Sequence, residues 1–403
     1  MSRTLASRTG DWLARFSHGL WLFGLVTVLQ AEAVEKPRSI RIATYNVALN
    51  RSRAGELLAD LEAGDNEQAI QLAAIIQEIR PDIILLNEFD YEPSGRAALV
   101  FRDRYLAVPQ QGKAALHYSH WFSASVNSGV PTGLDLNGND STTDADDAFG
   151  FGRFPGQYGM LVFSKFPFDP AAVRTFRQFL WRDLPEPQWP RQPDGSHYYS
   201  AEAREVLRLS SKSHWDIPFL VGERTLHLLA SHPTPPAFDG PERRNQLRNS
   251  EEIRFWADYI VPARSGSVRD DQGRTGGLPE PARFVIVGDL NSDPIDGDGR
   301  GIVQLLDHPA IQQTPAPSSR GAIVAAAQKP RFNQHHKAPP EHDTADFSVP
   351  TGPGNLRVDY VLLSRTLHHQ GSGVFWPAAD EWGHDLIDAT DHRLVWADLS
   401  LGE

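Results

Sequence analysis

The chain has 403 residues, 40% of them apolar and 10% aromatic, enough for a large core and too many for a disordered chain. Its formal charge is −12 and it contains no cysteine. The acidity disfavours nucleic acid as a partner without excluding it, since a metal ion can invert the local field, and the missing thiols exclude disulfides and thiolate metal sites.

Residues 1–33 read as a signal peptide. Arg3, Arg8 and Arg15 precede an apolar run from Leu20 to Leu29, and Ala31-Glu32-Ala33 offers the small residues of a cleavage site. That run is ten residues long, short of the roughly 20 needed to span a bilayer. The expected product is a secreted or periplasmic protein beginning near Val34, with no membrane span after signal removal, and with residues 34–403 as one domain.

Short runs rich in β-branched and apolar residues then predict strands at Ser39–Tyr45, Asp82–Leu86, Gly159–Phe163, Leu226–Ala230, Phe284–Val287, Val358–Leu363 and Arg393–Leu399. Helices are predicted over Asn66–Arg80, stopped by Pro81, and over Pro241–Ile260, with Pro241 in the first turn. The alternation is that of an α/β domain. Three stretches read as long loops: Ser125–Gln157, Pro262–Pro281 and Thr314–Pro353.

Several strands end on a polar residue. IRIATYN ends at Asn46, DIILLNE at Glu88, LHLLASH at His232, and FVIVGDLN delivers Asp289 and Asn291. Two later runs begin with theirs: Asp359 in RVDYVLL, and Asp391-His392 before RLVWADL. If the later strands run antiparallel to the earlier ones, all of these side chains gather at one edge of the sheets. Phosphoryl hydrolysis needs such a mixture: hard oxygen ligands for a metal, a group to orient water, and donors for the charge of the transition state. Without cysteine, a metal held here has oxygen or imidazole ligands, which favours Mg²⁺, Mn²⁺ or Ca²⁺ over structural zinc.

The ordered set Asn46, Glu88, His232, Asp289-Leu290-Asn291, Asp359 and Asp391-His392 resembles the endonuclease/exonuclease/phosphatase superfamily, over roughly residues 38–401. The resemblance implies a four-layer α/β sandwich of the DNase I-like kind: two mixed β-sheets face to face with helices outside. It implies Mg²⁺ or Mn²⁺ on Glu88, with Asn46 beside it and Asp391 completing the shell. It further implies that Asp289 orients or deprotonates water and that Asn291 holds the phosphate. His392 would contact a phosphoryl oxygen, fixed by Asp359, and His232 would protonate the leaving oxygen. The substrate is then a phosphate ester. An extracellular endonuclease, a sphingomyelinase-like lipase and a catalytically silent binding module on the same fold stay open as alternatives.

Other features are read more plainly. Lys212, His214, Arg243 and Arg244 could bind a second phosphate, but read as a solvated loop and helix face. Asp135, Asn137, Asn139 and Asp146 match positions of a calcium loop whose central Gly and final Glu are missing, so an additional Ca²⁺ competes with a flexible acidic loop. Trp181, Trp189, Tyr198 and Tyr199 could form an aromatic surface or pack internally.

Overall fold

In the computed structural model, residues 39–297 and 300–402 are described; the expected signal peptide lies outside them. One sheet draws on β1 (Ile40–Leu49), β2 (Ile83–Phe89), β3 (His120–Phe122), β4 (Met160–Ser164), β12 (His368–Val374) and β13 (Val395–Ser400), in the order β12-β13-β1-β2-β4-β3. The other uses β5 (Arg174–Thr175), β6 (His214–Val221), β7 (Arg224–Ser231), β8 (Phe284–Asp289) and β11 (Asp359–Leu363), in the order β11-β8-β7-β6-β5. Both are mixed: β1 and β2 run parallel, as do β7 and β8, and the other pairs are antiparallel.

The layering follows from strand alternation, because successive side chains point to opposite faces. Ile40, Ile42, Ile83, Leu85 and Val162 of the first sheet meet Trp215, Ile217, Leu226, Leu228, Val285 and Val287 of the second in one buried cluster. The intervening residues face outward and are covered by helices. Ala43, Tyr45, Ile84 and Leu86 pack beneath Leu72 and Ile76 of α2 (Glu67–Ile79) and Leu57 and Leu61 of α1 (Glu56–Ala63). Leu229, Ile286, Tyr360 and Leu362 pack beneath Ile253, Trp256 and Tyr259 of the long helix Arg244–Tyr259 and beneath Ile302 and Leu305 of helix Arg300–Leu306. Two apolar faces per sheet require two covers, and the result is four layers: helix, sheet, sheet, helix.

The predicted boundaries hold to within a few residues for α2 and the central strands; α1, β3, β5 and β12 were not predicted, and three further departures have a local cause. The long helix begins at Arg244 and not in Pro241, because Arg243 is held left-handed at φ +53° and breaks the turn. The strand β6 was not anticipated, since Pro218 and two buried polar residues interrupt its apolar pattern. The stretch read as a loop at Thr314–Pro353 contains helices Arg320–Gln328 and Pro330–Asn333 and most of a hairpin, β9 (Ala345–Phe347) and β10 (Gly354–Leu356). Among the described residues no helix is long and apolar enough to cross a membrane.

Candidate functional site

The directions of the strands decide what meets. The parallel pairs β1/β2 and β7/β8 end at a common edge, while the antiparallel β11 and β13 begin there. In register Asp359 lies opposite Asp289, and Asn46 opposite Asn87. Gly288, at φ +151°, lets β8 approach β7 at this end: a Cβ there would lie 2.0 Å from the Ser231 carbonyl oxygen.

Asp289 is the hub, 1% exposed. Its Oδ2 accepts from Asn46 Nδ2 at 3.0 Å and lies 3.3 Å from His232 Nε2 and 3.6 Å from His392 Nε2. Its Oδ1 accepts the Asn291 N–H at 2.9 Å, and its own N–H donates to Asn87 Oδ1 at 3.1 Å. Burial works to raise this carboxyl, but His392, His232 and Asn46 outweigh it and hold it well below the ordinary range.

His392 donates through Nδ1 to both oxygens of Asp359, at 3.0 and 3.2 Å. Thr344 Oγ1 donates to Asp359 Oδ2 at 2.8 Å, and the Phe347 ring meets the His392 ring edge-on with centroids 5.3 Å apart. Burial disfavours the imidazolium, yet Asp359 and Asp289 together outweigh burial and push His392 up to about 10. The pair is therefore an imidazolium between carboxylates. His232 is shifted the other way: burial, then the charge of Lys212, keeps it neutral, and its Nδ1 has no partner.

Beside this hub, Glu88 Oε1 accepts from the same Asn46 Nδ2 at 3.1 Å and its Oε2 from Asn50 Nδ2 at 2.8 Å. One amide group is thus the common donor of two carboxylates, a place where positive charge is favoured. Asn291, at φ +50°, turns its Nδ2 to the Pro233 carbonyl at 3.2 Å. Asp391 is exposed; its side chain accepts from Thr390 Oγ1 at 3.4 Å and its carbonyl accepts the Asp346 N–H at 2.8 Å, and among the described residues no hydrogen bond brings it to Glu88 or Asn46. Among the described residues, Asp289, Asp359 and His392 form the only group of three His, Asp or Glu side chains close enough to hold a metal ion, with ligand atoms within 4.8 Å of one another. The loop Asp135–Asp146 supplies no such group. Asp135 is engaged by the backbone N–H groups of Asn137, Gly138, Asn139 and Asp140, so its oxygens close the loop on itself.

The solvated reading of Lys212 and His214 is corrected. β6 runs inside its sheet beneath the long helix, so Lys212 is 7% exposed and His214 1%. His214 donates to the Glu252 carbonyl at 2.8 Å. Arg243 is exposed, and Arg244 is half-buried and paired with Glu242 at 2.8 Å. The aromatic stretch is packed: Trp181 is fully buried against Trp189, ring centroids 4.7 Å apart. Sequence reasoning missed Asn50, Asn87 and Thr344, and weighed Lys212 for a second phosphate before favouring a solvated face. Asn87 alone had a signal, as a polar residue inside the apolar run before Glu88.

The family model described as the Endonuclease/Exonuclease/phosphatase family matches residues 43–392. The chain belongs to that family, whose members are phosphoester hydrolases. Among curated proteins none matches. Solved structures similar to it include an endonuclease/exonuclease/phosphatase from Beutenbergia cavernae, 16% identical, covering 91% of this chain and 72% of that one at a TM-score of 0.48. A sphingomyelinase C from Streptomyces griseocarneus is also 16% identical, covering 90% and 99% at 0.45. A beta toxin from Staphylococcus aureus with bound magnesium ions is 11% identical, covering 91% and 100% at 0.44.

Proposed function

We propose that the protein is an exported, metal-dependent phosphoesterase that hydrolyses a phosphate ester by in-line attack of water. The observation that carries this reading is the convergence of Asn46, His232 and His392 on one oxygen of buried Asp289, with Glu88 sharing the same asparagine. Export rests on the N-terminal pattern of arginines, apolar run and Ala31-Glu32-Ala33.

The donor set fits a hard divalent cation. It offers carboxylate oxygens without sulfur, and two carboxylates already share a single partially positive donor, the Asn46 amide nitrogen. Glu88 and Asn46 would hold Mg²⁺ or Mn²⁺, with the exposed Asp391 as a further ligand. Such an ion would screen the charge that builds on the phosphoryl oxygens. Asp289 orients the attacking water, because its oxygens are fixed by Asn46 and the Asn291 N–H. His392, an imidazolium steadied by Asp359, offers Nε2–H to a phosphoryl oxygen. His232 presents its Nε2 to the same place; neutral at rest, it takes up the proton that the attacking water gives up through Asp289 and passes it to the departing oxygen. Asn291 helps to seat the phosphate.

Hydrolysis of bis-p-nitrophenyl phosphate with Mg²⁺, Mn²⁺ or Ca²⁺, beside a chelated control, tests the reading. Metal-dependent release of nitrophenolate is expected. If neither this diester nor a panel of DNA, RNA, phosphoinositide, sphingomyelin and small phosphomonoesters is hydrolysed with any of the three ions, the reading fails.

A further inference from the structure

Lys212 lies in the SSKS stretch that runs into β6, and only 7% of it is exposed. Its backbone is fixed from the side of the long loop 125–157. Its carbonyl accepts the Asn127 N–H at 2.9 Å, and Gly150 sits so close that a Cβ would lie 1.9 Å from the Ser211 carbonyl oxygen. His214 lies opposite Ser231 in register, so Lys212 stands alongside the end of β7 that leads to His232, where Glu252, Glu88 and Asp289 attract its ammonium and Arg248 repels it. Yet among the described residues no hydrogen bond, and no ion pair within 4.0 Å, holds that ammonium.

The reason is that these carboxylates already have donors. Glu252 accepts the Thr234 N–H at 3.2 Å, the Thr234 hydroxyl at 2.8 Å and the Ser211 hydroxyl at 3.3 Å, and faces Arg248 at 3.5 Å. Glu88 is occupied by Asn46 and Asn50, and Asp289 by Asn46, His232 and the Asn291 N–H. A largely buried lysine whose Nζ reaches solvent without a protein partner keeps its N–H groups available, as a site that receives an anion needs. The other cation of the site, His392, is already balanced by Asp359 at 3.0 Å.

We propose that Lys212 is a catalytic residue that donates N–H bonds to the nonbridging oxygens of the substrate's phosphoryl group. This rests on the phosphoesterase reading and extends it. A phosphoryl group bound beside Asp289 and His392 brings oxygens that are acceptors only, and their charge is redistributed as the ester bond breaks. A cation fixed in advance and shielded from water acts on that charge without reorganising. Lys212 supplies it from the side of the second sheet, while Glu88 and Asn46 act from the first.

The test compares Lys212→Met with the wild type by thermal denaturation, by kcat on bis-p-nitrophenyl phosphate, and by calorimetric titration with inorganic phosphate. The variant should melt at a higher temperature, because an unpaired charge on a largely buried side chain is replaced by an apolar chain of similar length. Its kcat should fall about 10²–10³-fold, as for the loss of one oxyanion donor. Its phosphate affinity should fall at least about tenfold, the scale of one charge-assisted contact. A lower melting temperature with wild-type kcat and phosphate affinity would make Lys212 a structural counter-ion of Glu252 and overturn the proposal. If the wild type hydrolyses no ester, the phosphoesterase reading falls, and the phosphate titration still decides the role of Lys212: no binding by the wild type, or equal binding by both proteins, overturns it. Should Lys212→Met fail to fold, Lys212→Gln is judged by the same titration, with weakened binding expected and unchanged binding counting against.

Discussion

At φ +59° Glu88 occupies a conformation that a β-strand does not offer, inside β2. Its neighbour strand breaks at the same level, where Ala48 lies at φ +47° and the register between β1 and β2 shifts. Strain of this kind costs about 1–3 kcal/mol per residue and persists where the surroundings enforce it. Here it turns Glu88 out of the pleat so that Asn46 and Asn50 hold one oxygen each. The two histidines, aimed at one oxygen of Asp289, differ in charge: His392 is held as a cation by Asp359, and His232 is held neutral by burial. As an acid His232 must first take up a proton, the one that the attacking water gives up through Asp289, and the two histidines then answer differently to the leaving group. A steadied cation on a phosphoryl oxygen helps every ester alike, whereas a proton delivered to the departing oxygen matters more as that oxygen becomes more basic. His392→Ala should slow a p-nitrophenyl ester and an alkyl ester by similar factors. His232→Ala should slow the alkyl ester by about 10²–10⁴-fold and the nitrophenyl ester far less. Equal leaving-group dependence in the two variants would remove the acid role from His232.

The helix α2 shows what a single element owes to local sequence. Asn66 stands outside it with its side chain accepting the Ala69 N–H at 2.9 Å, and Arg80 closes it left-handed with an N–H to the Ile76 carbonyl at 2.9 Å. Asn66→Ala should lower stability by about 1 kcal/mol in denaturant titration, the usual worth of an N-cap. A variant indistinguishable from the wild type would mean that packing against the sheet alone defines the helix. These bounds were legible in the sequence because cap, apolar period and Pro81 agree. The strands that deliver Asn46, Glu88, Asp289 and Asp359 were legible for a similar reason, as apolar runs broken by one polar residue. β6 was not. Its Asp216 is satisfied by the Tyr259 hydroxyl at 2.6 Å and by His227 at 2.7 Å, and its Pro218 lies beyond the two-residue β5, just before Phe219 bridges Phe168. Those partners come from other elements, so no local pattern announces them. Lys212, just before β6, was misread too, since a lysine flanked by serines looks solvated until the loop 125–157 packs against it. Thr344 escaped likewise: its contact with Asp359 exists only once the β9–β10 hairpin brings it to the start of β11.

For the whole molecule, the buried groups that titrate away from the candidate site oppose each other. His214 lies against Phe255 and Trp256, ring centroids 4.7 and 5.0 Å away, and burial lowers it to about 4 although the Glu252 carbonyl accepts its N–H. Its folded value is below the ordinary 6.5, so folding favours the neutral ring. The stability it supports is complete above pH 6.5 and is lost as pH falls toward 4. Asp343 is the reverse case, pushed up to about 8 by burial and then by Asp293, Asp296 and Glu341. Folding favours its protonated form, so its contribution is complete below about pH 4 and is lost as pH rises toward 8. Each group is worth about 1.4 kcal/mol per pH unit inside its window, as an upper bound. His214→Gln keeps a donor for the Glu252 carbonyl without titrating. Relative to the wild type it should gain stability as pH is lowered from 6.5 to 4, and show a constant difference above 6.5. Asp343→Asn should gain relative to the wild type as pH is raised from 4 to 8, the range in which the acidic chain, of formal charge −12, also accumulates self-repulsion. Denaturant midpoints at half-unit pH steps separate the two effects, because the variants diverge from the wild type in opposite directions. A His214→Gln difference that does not change between pH 6.5 and 4 would show that the ring is not held neutral by its burial beneath the helix.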